Sequence, residues 1–81
     1  MDKRNPVLLT APVDSVAGFV AAISHAVFGV ERTAPTNLDG LADMLREARV
    51  THVVASDWRL DPEETRRVQR VLLDNDVVLY R

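Results

Sequence analysis

Three short apolar runs, separated by stretches of helical periodicity, constrain this chain more than any other feature. Val7-Leu8-Leu9-Thr10, Val50-Thr51-His52-Val53-Val54-Ala55 and Val77-Val78-Leu79-Tyr80 each have the length and the residue types of a buried strand. The segments between them repeat apolar residues every three and four positions. Strands joined through helices are most simply parallel, because a short turn cannot return the chain to the same end of the sheet. The expected fold class is therefore α/β: a three-stranded parallel sheet packed on about three helices, in the order β-α-α-β-α-β. Strand order within the sheet does not follow from this pattern. With 81 residues, no internal repeat and no linker, residues 1–81 are expected to form one domain.

The first helical segment can be capped by Asp14 or Ser15, carries Val16, Phe19, Val20, Ile23 and Val27 as one stripe, and should stop at Gly29. Gly18 weakens its interior by about 1 kcal/mol relative to alanine, which suggests close packing there. The second segment starts at Thr36 or Asn37 and buries Leu38, Leu41, Leu45 and Ala48, with Met44 beside that stripe. Its other side carries Asp39, Asp43 and Glu47 at four-residue steps, with Arg46 adjacent. The third has the strongest start signal: Asp61 as cap, Pro62 at the first helical position and Glu64 three residues past the cap. It should run from Pro62 to about Asp74, turn Val68, Val71 and Leu72 inward, and end on Asn75 in the left-handed conformation. Trp58 reads as core or as a lid on the core.

Composition narrows the function. No cysteine is present, so there is neither a disulfide nor a thiolate ligand. The formal net charge of -2 argues against a nucleic-acid partner and allows a basic protein partner. After Met1-Asp2-Lys3-Arg4-Asn5-Pro6, the stretch Val7-Leu8-Leu9 is too short for a signal-peptide core, and no run is long enough to span a bilayer. A cytoplasmic protein is expected.

Enzymatic motifs are missing. His25 and His52 share no local frame, Ser15, Ser24 and Ser56 sit in no nucleophile motif, and no phosphate-binding glycine loop or metalloprotease signature occurs. No cofactor, metal or small-molecule substrate is expected, and the chain reads as a non-enzyme. The group Arg66, Arg67 and Arg70 is a solvated helix face or a phosphate site.

The acidic side of the second helix is the remaining candidate. Asp39 and Asp43 lie one turn apart on one face, where like charges repel by a few tenths of a kcal/mol. The helix dipole accounts for Asp39 in the first turn and less well for Asp43. Pattern alone leaves a solvated face and a binding face both open.

The run Asn37-Leu38-Asp39-Gly40-Leu41-Ala42-Asp43-Met44-Leu45 resembles the inhibitory helix of the barstar family, Asn-Leu-Asp-small-Leu-any-Asp-any-Leu. Ala55-Ser56-Asp57-Trp58-Arg59 is similar to the acidic-Trp-Arg sequence that ends that family's second strand. The order of elements agrees from Pro6 to Arg81, although this chain is shorter between the second strand and the last helix. The resemblance implies a barstar-like domain and an intracellular inhibitor of a secreted, guanine-preferring ribonuclease of the barnase type. In that family the helix fills the nuclease active site and its carboxylates stand where RNA phosphates would bind. Matched onto this chain, Asp43 is the main phosphate mimic and Asp39 its partner, Asn37 and Leu38 begin the helix, Ala42 occupies a variable position often held by tryptophan, and Asp74 aligns with a peripheral acidic contact. Gly40 would allow the partner backbone to approach. The loop Val30-Glu31-Arg32-Thr33-Ala34-Pro35-Thr36 departs from the family in lacking aromatic residues. Two other readings compete: a barstar-fold module for a different basic protein or toxin, and a small enzyme or nucleotide-binding domain built on His52 or the arginine group.

Overall fold

The computed structural model describes residues 4–81; Met1, Asp2 and Lys3, within the expected domain, lie outside the described residues. The elements follow the expected order: β1 (Pro6–Leu9), α1 (Val16–Phe28), α2 (Leu38–Ala48), β2 (His52–Ala55), α3 (Pro62–Asp74) and β3 (Val78–Tyr80). The three strands form one parallel sheet in the order β1-β2-β3, with Val7 opposite Val53 and Val53 opposite Leu79.

Alternation along the strands divides the sheet into two unlike faces. Val7, Leu9, Val53 and Ala55 point into the core, where they meet Phe19, Val20 and Ile23 of α1, Leu41, Met44 and Leu45 of α2, and Val68 and Leu72 of α3. Pro6, Leu8, His52, Val54, Val78 and Tyr80 point the other way and are exposed or half-buried. All three helices therefore cover one face. α1 packs on β1, α3 on β3, and α2 lies between α1 and α3.

Each helix start uses a side-chain cap. Ser15 Oγ accepts from the Gly18 N–H at 2.9 Å, Asn37 Oδ1 from the Gly40 N–H at 2.8 Å, and Asp61 Oδ1 from the Glu64 N–H at 2.7 Å. The close approach expected at Gly18 is to its own cap, since a Cβ there would stand 2.8 Å from Ser15 Oγ. Gly29 ends α1 with φ +85°.

The other two helices share an ending, and for α3 it corrects the expected one. Arg49 (φ 55°) and Asp76 (φ 57°) are left-handed, and the next residue donates its N–H back across the last turn: Val50 to Leu45 O at 3.1 Å and Val77 to Leu72 O at 2.8 Å. This six-to-one closure satisfies carbonyls that the helix leaves free. Asn75 is accordingly not the left-handed residue (φ -111°); its side chain instead donates to Val71 O at 2.8 Å. The same closures claim Val50 and Val77, so the strands begin later than expected, at His52 and Val78. β1 is also shifted by one residue from the expected run, ending at Leu9 rather than Thr10.

Trp58 is a lid on the core. Its ring meets Phe19 edge-on at 5.4 Å, and Nε1 donates to Thr65 Oγ1 at 2.8 Å. Around it, Val13 extends the pairing of the sheet: its N–H donates to Asp57 O and its carbonyl accepts from the Arg59 N–H, both at 2.8 Å. The flanking Asp57 and Arg59 form a two-bond ion pair at 3.0 and 2.8 Å. The Asp-Trp-Arg sequence is thus used locally to close one end of the core.

Candidate functional site

α2 is amphipathic because its apolar residues recur on one side, and that side is sealed. Leu41, Met44 and Leu45 are buried, with Met44 inside the stripe rather than beside it, and Leu38 and Ala48 are half-buried against the same core. The opposite side faces solvent. Asn37, Asp39 and Asp43 are exposed, and Ala42 is half-buried. Asn37 is occupied in capping the helix, so its contribution to any contact is to fix where the first turn begins.

The row of carboxylates is less acidic than its sequence. Asp43 accepts from Arg46 at 2.6 Å, one turn along the same helix. Glu47 is held by both terminal nitrogens of Arg32, at 2.8 and 3.2 Å. The Arg32 guanidinium also lies 3.9 Å above the centre of the Phe28 ring. These hydrogen bonds lower the Glu47 pKa and raise that of Arg32. Among the described residues, Asp39 is the one carboxylate of the row in no ion pair.

Asp39 borders a shallow depression with Asn37, Leu38, Val16 of α1 and Arg67 of α3. Arg67 is the neighbour that sequence reasoning left out. The sequence groups it with Arg66 and Arg70 as a solvated helix face or a phosphate site, whereas the packing of α3 against α2 brings it to the start of α2. Asp74 is exposed at the far end of α3, seven residues from Arg67 or about 10 Å along the axis. It does not border this depression.

Gly40 has an internal explanation, which corrects the expectation that it admits a partner backbone. A Cβ at this position would collide with the Cβ of Pro35 and stand 3.0 Å from its Cγ and 3.3 Å from Asn37 Oδ1. The glycine lets the incoming loop pack against the first turn of α2.

The other candidates are dispersed. His52 lies on the outer face of the sheet, with Nδ1 2.8 Å from Thr51 Oγ1 and its ring parallel to Tyr80 at 6.1 Å, while His25 is exposed on α1. Among the described residues no group of three His, Asp or Glu side chains could hold a metal ion. No helix among them is long and apolar enough to cross a membrane.

Comparison with protein-family models, with curated proteins and with solved structures finds no match for this chain.

Proposed function

We propose that the protein is a barstar-like inhibitor that blocks the active site of a basic, barnase-type ribonuclease with α2 and acts in the cytoplasm. The observation that carries this reading is the pair Asp39 and Asp43: both exposed, one turn apart, on a capped helix whose opposite side packs on the core through the buried Leu41, Met44 and Leu45. Such a helix presents carboxylates at a fixed spacing without ordering a loop on binding, which lowers the entropic cost of association. A site that holds RNA phosphates with arginine, lysine and histidine can accept these carboxylates through charge-assisted hydrogen bonds. Asp43 must exchange Arg46 for a cation of the nuclease. That exchange is inexpensive, because an exposed ion pair contributes at most about 1 kcal/mol. The parallel sheet and the β-α-α-β-α-β order support the same reading at the level of the fold.

The residue roles are then as follows. Asp43 is the main phosphate mimic, Asp39 its partner, Asn37 and Leu38 set the start of the helix, and Ala42 lies between the carboxylates. Asp74 contributes only at the periphery of a larger contact. The protein performs no chemistry itself and needs no cofactor.

A second reading is a barstar-fold module directed at a different basic protein or toxin. It is favoured by the loop before α2, where Arg32 packs on Phe28 and binds Glu47 in place of an aromatic contact surface. The test is inhibition of a barnase-type ribonuclease encoded in the same genome, by the wild type and by D39A/D43A. Inhibition by the wild type alone supports the first reading. Equal inhibition by both proteins refutes the assigned surface, and inhibition by neither turns the search to other basic partners.

A further inference from the structure

The two edges of the sheet differ. β1 carries Pro6, a residue that blunts pairing along an edge. β3 has neither proline nor lysine. The Val78 N–H donates to Thr51 O at 3.0 Å, so Val78 and Tyr80 direct their backbone groups toward β2. By alternation, the N–H and C=O of Leu79 point out of the open edge. Beside that edge runs an apolar groove between α3 and β3, formed by Leu72, Leu73, Val77, Val78 and Leu79. Leu73 and Val78 line this strip at 72% and 44% exposure, while Tyr80, 54% exposed, lies on the outer face of the sheet beside His52.

Charge along the strip is polarised. Asp76 stands where β3 begins. Arg66 and Arg81 stand where it ends and border one concavity, which adjoins the apolar groove at Gln69. None of the three is in an ion pair among the described residues.

We propose that this edge is a self-association surface on which two copies pair antiparallel through β3, with Leu79 of each beside a twofold axis. The pairing extends the sheet to six strands, and the features of the strip are self-complementary under that symmetry. Leu79 of each copy exchanges both backbone hydrogen bonds with Leu79 of the other, as residues directly opposite each other do in one class of antiparallel pair. Val78 of each copy then lies beside Tyr80 of the other on the outer face. The acidic start of each strand faces the basic end of its neighbour, which a parallel arrangement would not achieve. The contact is small, so the dimer is weak and forms at elevated concentration. It leaves the exposed face of α2 free and does not depend on the inhibitor reading.

Sedimentation equilibrium of the full chain, from micromolar to near-millimolar concentration, tests this. The mass is expected to rise from 9.0 kDa toward twice that value. D76R sets like charges against each other and is expected to weaken the dimer at least about tenfold. R66D/R81D does the same from the other end, and mixing the two variants restores pairing as a heterodimer. Circular dichroism establishes that each variant is folded. A mass that stays at 9.0 kDa throughout overturns the proposal. So does a dimer whose affinity neither variant changes.

Discussion

Substituting Gly40 by alanine sets two well-understood effects against each other, and the structure decides the sign. In an unobstructed helix the change is favourable by up to about 1 kcal/mol. Here the new methyl group would overlap the Cβ of Pro35, a ring atom that cannot rotate away, and would crowd the cap oxygen of Asn37 at 3.3 Å. Forcing an extra methyl into packed structure costs about 1–3 kcal/mol. Relieving it by moving the loop would weaken the Asn37 cap, worth about 1 kcal/mol. The expected outcome is a net loss of about 1–2 kcal/mol, or about 4–8 °C in Tm per kcal/mol for a domain of this size. Urea denaturation measures it as a lower midpoint at unchanged slope. Repeating the change in a P35G background removes the obstructing ring, and the cost of G40A should fall by at least about 1 kcal/mol there. A G40A protein as stable as the wild type, or an equal cost in both backgrounds, would refute the reasoning.

Other consequences can be measured on the same material. D43A should shift the melting free energy by no more than about 0.5 kcal/mol, because loss of the exposed Arg46 pair offsets relief of the repulsion from Asp39; a larger loss in a thermal melt would make Asp43 structural. S24A should stabilise the fold by about 1 kcal/mol, since the buried Ser24 hydroxyl has no hydrogen-bond partner among the described residues and alanine is the better helix former; denaturation midpoints check this. The Arg32 hydrogen bonds hold the Glu47 carboxyl below the usual glutamate range, so this pair supports the fold above the unfolded-state pKa and the support is lost as pH falls through the lower folded value. In a carboxyl NMR titration Glu47 should ionise at lower pH than in R32A, where it should return to the ordinary range.

Much of the fold was legible in the sequence because it rests on periodicity and caps. The three strands, the stripes of α1 to α3 and the cap Asp61 follow from residue types at fixed spacing, which leave both Thr36 and Asn37 open as the start of α2. Strand order was not legible, since it depends on long-range pairing that no local pattern encodes. The left-handed residues are hidden for a related reason: the pattern points to Asn75 at the end of α3 and to no residue at the end of α2. Arg49 and Asp76 adopt this conformation because Val50 and Val77 must return to the core, and neither arginine nor aspartate announces that as glycine would. At the candidate site, the spacing of Asp39 and Asp43 placed them on one face, but the sequence could not show that Arg46 and Arg32 compensate their row. Arg32 is distant in the chain from Glu47, and Arg67 reaches the start of α2 only through the packing of α3.

The sequential strand order also sets the route by which the chain can assemble. Val7 pairs with Val53 and Val53 with Leu79, so the two closures span 46 and 26 residues. The shorter closure is favoured by about 0.5 kcal/mol of chain entropy, and β2-α3-β3 can therefore form before β1 arrives. β1 joins last and at an edge, with Pro6 unable to donate a backbone hydrogen bond. In native-state hydrogen exchange its amides should open ahead of those of β2, with α1 loosening before α3.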